Sequence, residues 1–306
     1  MISVIIPVFN EKKNIPDLIA QLFEVFENLK CEYEIIFVDD GSTDGSRQCL
    51  TKYSKDSRNI KVVFLSRNFG QQAAYTAGMR NSLGDIIVLM DGDLQDSPSL
   101  IPAFIEKIDS GYDIAYAVRL NRKENLLKKL SYFSFYRVMR LITPFAIPLD
   151  SGDFGAMTRK VADKLNEMPE KHRFLRGLRS YVGFKQIAIP CKRNQRVAGK
   201  PKYNLIKLMG LASDGIFGFS LVPLRLATFS GFVISVLAIF YGLHVVIWRL
   251  SSDVELPGWA TLAAALTFLG GIQLFFLGII GEYIGRIFAQ VTARPEYIIS
   301  EKINFD

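Results

Sequence analysis

From Leu226 to Trp248 the sequence holds no formally charged residue, and from Leu256 to Gly281 it again holds none. Each run exceeds the ~20 apolar residues that carry an α-helix across a ~30 Å hydrocarbon core. A soluble core helix of that length would keep a polar face, so the runs read as two membrane spans. The short connection Arg249–Glu255 sets one Arg against Asp253 and Glu255. Lys202, Lys207 and Arg225 precede the first run, and Arg286, Arg294 and Lys302 follow the second. Basic flanks stay inside, which places both termini and the N-terminal part in the cytoplasm and the connection outside.

The remaining bulk properties fit a domain with such an appendage. The chain has 306 residues, 49% of them hydrophobic, with a mean hydropathy of +0.19 that these runs concentrate. A net charge of +7 suits nucleic acid, an anionic membrane surface or a phosphorylated substrate. The positive residues cluster beside the apolar runs rather than along one stripe, which disfavours nucleic acid. Cys31, Cys49 and Cys191 have neither metal nor disulfide spacing and point to a reducing compartment. The start, MISVIIPVFNEKK, lacks a basic region before its apolar run and reads as a first strand rather than a signal peptide.

Between residues 1 and 118, short apolar runs alternate with helical spacing. Strands are expected at Ser3–Val8, Glu34–Val38, Lys61–Leu65, Asp85–Met90 and Ile114–Ala117. Helices are expected at Asn14–Leu29, Ser42–Tyr53, Gln71–Ser82 and Pro98–Ser110. This alternation predicts an α/β fold with a largely parallel sheet covered on both faces. Such sheets bind ligands at the carboxyl ends of their strands. The polar clusters fall there: Asn10-Glu11, Asp39-Asp40, Ser66-Arg67-Asn68 and Asp91–Asp93.

Residues 122–147 interleave Lys128, Lys129, Arg137 and Arg140 with Leu and aromatic residues. They read as a basic amphipathic helix in a membrane interface, the alternative being a core helix with a solvated basic face. Asn204–Leu221 reads as a second interfacial segment. The expected division is a domain over 1–205, a juxtamembrane segment over 206–225, two spans over 226–281 and a C-terminal tail over 282–306. Gly281-Glu282-Tyr283-Ile284-Gly285 has small-xxx-small spacing, which permits close helix approach or simply ends a helix.

In IIVLMDGDLQ (86–95) a buried strand runs into two carboxylates separated by one glycine. Two such charges repel, and Mg²⁺ or Mn²⁺, which take oxygen ligands and leave positions for phosphates, would relieve the repulsion. The same tripeptide also makes an ordinary turn. The neighbouring strand ends, VFNE (8–11), DDGSTDGS (39–46) and SRNFG (66–70), match a known order of motifs. Together with the Asp-x-Asp element they resemble the family 2 glycosyltransferases over about residues 1–205. SGDF (151–154) and Arg196-x-x-Gly199-x-x-Lys202-Tyr203, followed by two spans, resemble the polyprenyl-phosphate branch of that family. That branch includes the bactoprenol glucosyltransferases and the dolichyl-phosphate mannose synthases.

The resemblance implies a nucleotide-sugar-binding, Rossmann-like GT-A domain. It implies nucleoside contacts from Pro7, Phe9 and Glu11, base and ribose contacts from Asp39 and Asp40, and metal–diphosphate contacts from Asp91, Asp93 and Gln95. Arg196 and Lys202 meet phosphates, and Arg119 is a further candidate for the acceptor phosphate or a plain surface Arg. Asp153 is nominated for a base-like or positioning role, with a turn Asp as the alternative. Pro201 and Gly155 depart from the family pattern, where Ser and Arg are common, and bear on the acceptor side.

The implied reaction is inverting hexose transfer from a nucleotide sugar to a polyprenyl phosphate at the bilayer, with UDP-glucose as donor or GDP-mannose as the alternative. The resemblance also implies a homo-oligomer, with a tetramer as one option. A processive polysaccharide synthase is disfavoured because it needs more spans and a Gln-x-x-Arg-Trp motif absent here. A membrane-anchored nucleotide-binding scaffold without turnover is the reading from another class.

Overall fold

The computed structural model describes residues 1–119, 151–171, 173–191, 220–251 and 258–305. The chain divides into two compact units, Met1–Ala212 with Ala293–Asp306, and Ser213–Thr292. The reading of 122–147 as an interfacial helix lies outside the described residues, as do Arg196, Lys202 and nearly all of 204–221.

The first unit carries strands β1 (Ile2–Val8), β2 (Tyr33–Asp39), β3 (Ile60–Leu65), β4 (Ile86–Leu89), β5 (Ile114–Arg119), β6 (Ser151–Thr158), β7 (Gln186–Cys191) and β8 (Ile299–Ile303). Its helices are α1 (Ile15–Leu29), α2 (Ser46–Asp56), α3 (Gln71–Asn81), α4 (Ile101–Asp109), α5 (Arg159–Glu167) and α6 (Leu175–Tyr181). The strands form one eight-stranded sheet in the order β7-β5-β6-β4-β1-β2-β3-β8. β1 runs parallel to β2 and β4, and β2 to β3, as the alternation predicts. β6 is inserted antiparallel between β4 and β5, and β8 is antiparallel at the β3 edge.

The central strands are buried on both faces, so Val4, Ile5, Ile6, Ile35, Ile36 and Phe37 have no exposed surface. α1 covers one face with Ile15, Leu18, Ile19, Leu22 and Phe26, spaced for a single helical stripe. It ends at Lys30, whose φ of 50° and N–H to the Phe26 carbonyl close the last turn. α3 covers the other face through small residues, Ala74, Ala77 and Gly78, and a Cβ at Gly78 would collide with the Ile5 side chain. The close approach brings the N-terminal end of α3 to the carboxyl ends of the strands.

Gly155 in β6 faces Leu89 and Tyr116 across its two neighbours. A Cβ there would stand 2.6 Å from the Ala115 carbonyl oxygen and 2.9 Å from the Tyr116 Cα, both backbone atoms. No arginine fits at this position, so its glycine is a packing requirement of this sheet rather than a missing acceptor contact. Gly155→Ala is expected to cost about 1–3 kcal/mol, read as a lowered denaturant midpoint.

β8 is a strand in the segment expected as a C-terminal tail. Beside the β3–β8 ladder, Asn304 donates to the carbonyls of Ser54 at 2.7 Å and Ile60 at 2.8 Å, and Arg47 pairs with Glu301 at 2.5 Å. Residues before and after the second unit thus belong to one folded body.

The second unit holds α7 (Val222–Ser251) and α8 (Trp259–Val291). Phe229, Leu237, Phe268 and Leu274 stand exposed on them, as lipid-facing side chains do. Both are long and apolar enough to cross a membrane, over Val222–Val245 and Ala264–Val291. α8 continues beyond Gly281, with Arg286 paired to Glu282 at 2.8 Å one turn apart.

Candidate active site

The carboxyl ends of β1, β2 and β4 gather the acidic residues. The antiparallel register sets Leu89 opposite Gly155, and continued along both strands it brings Asp91 opposite Asp153. After Asp91 the chain turns through Gly92, where a Cβ would lie 3.1 Å from the Pro7 carbonyl oxygen, and Leu94, at φ 60°. A left-handed leucine costs about 1–3 kcal/mol, which the burial of its side chain in the core offsets. The strained turn keeps Asp91, Asp93 and Gln95 partly open while Leu94 points inward. Asp93 Oδ1 accepts the Gln95 N–H at 3.1 Å.

α3 determines how Asp91 is held. Gln71 Nε2 donates to Asp91 Oδ1, and the Tyr75 hydroxyl donates to the same oxygen at 2.7 Å. Gln71 and Tyr75 are one turn apart and share a face. Tyr75 is fully buried, and burial with the Asp91 charge keeps its phenol protonated as a donor. Oδ2 receives no hydrogen bond among the described residues. Burial, then the charges of Asp96 and Asp153, push the Asp91 carboxyl up to about 7. Part of its surface nevertheless stays accessible at the mouth of the site.

The residues fit a divalent cation. Among the described residues no three Asp, Glu, His or Cys side chains form a ready cage. Mg²⁺ sites commonly use one or two carboxylates and complete the shell with phosphates and water. An open Asp91 oxygen in a crowded acidic environment has that chemistry.

Asp153 is differently placed. Arg176 grips it with two bonds, Nε to Oδ1 at 2.9 Å and Nη2 to Oδ2 at 3.1 Å. Gln72 Nε2 donates to Oδ2 at 3.3 Å, while Gln72 Oε1 accepts the Leu175 N–H at 2.9 Å. Burial pushes this carboxyl up, but Arg176 and then Arg179 outweigh it and hold it below the ordinary value. Arg179 is buried over the Tyr116 ring at 4.5 Å, and burial lowers its guanidinium to about 10. Both oxygens of this carboxylate are thus engaged by the Arg176 guanidinium, unlike those of Asp91.

The two aspartates at the end of β2 are also held differently. Asp40 accepts the Phe69 N–H at 2.7 Å and the Gly70 N–H at 2.9 Å, so both its oxygens are used in holding the loop that starts α3. Asp39 Oδ1 accepts the Ser42 N–H at 3.3 Å. Burial pushes both carboxyls up. Gly41, which follows them at φ 74°, would place a Cβ 2.7 Å from the Arg67 backbone. At the end of β1, Phe9 is 38% exposed, and Glu11 accepts from Asn14 Nδ2 at 2.6 Å. Pro7 lies in β1 opposite Val38. Arg119 ends β5 opposite Cys191, at the same edge of the sheet.

Gln71, Gln72, Tyr75, Arg176 and Arg179 join the site without having been singled out in the sequence. The readable signal was a glutamine pair and a tyrosine opening a helix that is otherwise buried.

The α/β sheet with an acidic turn after its fourth strand, followed in the chain by an apolar hairpin, is the arrangement that the comparisons with known proteins assign to a class, the glycosyltransferases. The chain belongs to glycosyl transferase family 2, whose model matches residues 3–165, and the GtrB C-terminal hairpin model matches residues 222–287. It is a glycosyltransferase. It is 42% identical to an uncharacterized glycosyltransferase of Synechocystis over 98% of this chain and 95% of that protein. It is 37% identical to a prophage bactoprenol glucosyl transferase homolog of Escherichia coli over 97% of this chain and 98% of that protein. The bactoprenol glucosyl transferase of Shigella phage SfII is 36% identical over 98% of this chain and 97% of its own length. Among solved structures, glucosyl-3-phosphoglycerate synthase of Mycobacterium tuberculosis shares the fold, with a TM-score of 0.51 and 20% identity over 71% of this chain and 76% of that one.

Proposed function

We propose that the protein transfers a hexose, glucose from UDP-glucose, to the phosphate of a polyprenyl phosphate at the cytoplasmic membrane face, inverting the sugar. The observation that carries this is the Asp91–Asp93 turn, with one Asp91 oxygen open, in a chain whose near-full-length relatives are named bactoprenol glucosyl transferases. Pro7, Phe9, Glu11 and Asp39 line the strand ends where the nucleoside would lie, and Asp40 sets the loop beside it. Held by Asp91 and Asp93, with Gln95 as a further ligand, Mg²⁺ or Mn²⁺ would neutralise the leaving diphosphate. Arg196, Lys202 and Arg119 are the proposed phosphate contacts.

The nucleophile is a phosphate monoester with a second pKa of about 6, already largely dianionic at pH 7. It needs orientation more than deprotonation, which agrees with an Asp153 locked to Arg176. The pairing of β8 with β3, which puts chain from both before and after the hairpin in one folded unit, supports an even number of spans, and the basic flanks support the cytoplasm as the side of that unit. The proposed homo-oligomer uses the open glycine face of α8 at Gly281 and Gly285.

The test is nucleoside diphosphate release by purified protein with polyprenyl phosphate, across a donor panel, with and without Mn²⁺. Release from UDP-glucose that needs both lipid and metal is expected. Release only from GDP-mannose would replace the donor. Nucleotide binding with no lipid-dependent release from any donor would favour the scaffold.

A pH effect accompanies the metal reading. The Asp91 pKa is raised on folding, so its stabilising contribution is complete below about 4 and is lost as pH rises through about 7. A cation competes with that proton and compensates the exposed charge. The rise in melting temperature caused by Mn²⁺ with UDP should therefore be larger at pH 8 than at pH 6. Equal shifts at both values would remove Asp91 from the metal site.

A further inference from the structure

The chain leaving α8 does more than add an edge strand. Glu296 is buried between two arginines of different elements: its Oε1 lies 3.7 Å from Arg80 Nη2 and its Oε2 3.7 Å from Arg173 Nη1. Arg80 stands in the last turn of α3, whose first turns carry Gln71, Gln72 and Tyr75. Arg173 is buried too, donates to the Leu165 carbonyl at the end of α5, and lies just ahead of Leu175. The Leu175 N–H is bonded to Gln72, and Arg176 follows it with its grip on Asp153. Arg80 also sits over the Tyr297 ring at 5.8 Å. One carboxylate from the segment that returns from the hairpin therefore joins the two elements that hold Asp91 and Asp153.

We infer that Glu296 is a positioning residue for sugar transfer, fixing α3 against the approach to α6 and so tying the returning segment to the acidic site. The inference rests on the transferase reading above. Physically, a charge buried between two guanidiniums resists sliding of either element, because each shift leaves a buried charge less compensated. A misplacement of about 1 Å far from the chemistry can cost about a hundredfold in rate. The far end of the same segment supplies a control. Asn304, at φ 64°, anchors it to the carbonyls of Ser54 and Ile60, and among the described residues it makes no hydrogen bond to α3 or α6.

The experiment compares wild type, Glu296→Gln, Arg80→Met and Asn304→Gly as full-length protein in lipid nanodiscs. Arg80→Met guards against misfolding, since Glu296 keeps Arg173. Steady-state nucleotide release gives kcat and donor KM, melting gives stability, and amide hydrogen exchange reads the peptide containing Leu175. Glu296→Gln and Arg80→Met should lower kcat about tenfold or more with donor KM within about threefold. They should also speed exchange at Leu175 about tenfold. Asn304→Gly should lower the melting temperature without either change. Similar losses of kcat and protection in all three variants, or in none, would overturn the inference and leave the segment a plain staple. Should wild type turn over no donor with any lipid, the transferase reading fails and the Leu175 exchange alone decides for or against the link.

Discussion

Asp91→Asn should lower sugar transfer by about a thousandfold while leaving the protein at least as stable as wild type at pH 8. The two effects have one cause. Asp91 is surrounded by Asp93, Asp96 and Asp153 and is pushed up to about 7, so at pH 8 the ligand-free fold carries an uncompensated charge there. An asparagine oxygen can still accept from Gln71 and Tyr75 at the position of Oδ1. What disappears is the open anionic oxygen proposed to meet the cation and, through it, the diphosphate. The variant should also lose the melting shift given by Mn²⁺ with UDP. Nucleotide-release rates and thermal unfolding at pH 8 measure both sides. Activity within tenfold of wild type would remove Asp91 from the reaction, and a marked loss of stability would make it a structural residue.

Much of this architecture was legible because the physics is local. Buried parallel strands demand continuous apolar runs, and Ile2–Val8, Tyr33–Asp39 and Ile60–Leu65 match the expected strands to within a residue or two. α1 repeats its buried positions with helical period, and the two apolar hairpin runs need no tertiary context at all. β6 and β8 were not legible. SGDFGAMT places a glycine where backbone crowds it, and its strand character comes from two neighbours that supply the ladder. ISEKI is polar on an exposed edge and becomes a strand only because β3 offers an unpaired ladder.

The site divides in the same way. Asp91 and Asp93 were readable because a strand ends in charges. The resemblance assigns Asp39, and after it Asp40, to the base and ribose, but the loop from Phe69 to Gly70 occupies both Asp40 oxygens. Gln71, Gln72 and Tyr75 matter through contacts between α3 and residues far along the chain, which no local pattern encodes. Arg176 and Arg179 become relevant only once β6 sets Asp153 beside Asp91.

Asp153 with Arg176 gives the second large effect, and a pair of variants separates its two possible roles. Asp153→Asn removes the charge that compensates Arg176 and the buried Arg179, and breaking a buried ion pair typically costs about 3–5 kcal/mol. Arg176 keeps some exposure, so the lower part of that range is expected. Transfer should fall by about a hundredfold, since Asp153 also holds Gln72 and through it the Leu175 end of α6. Its depressed pKa contributes stability above about 4 that is lost as pH falls through the folded value, so the wild-type pair strengthens the protein across the neutral range. Arg176→Met leaves the carboxylate in place and removes its clamp, so burial then raises its pKa. A general base of higher pKa is a stronger base. If Asp153 took a proton during transfer, Arg176→Met would keep its rate above the new pKa and move the acid limb of the pH–rate profile upward. As a positioning anion, Asp153 without Arg176 is as misplaced as if it were neutral. Arg176→Met should then be impaired to a similar degree as Asp153→Asn, at every pH from 6 to 9.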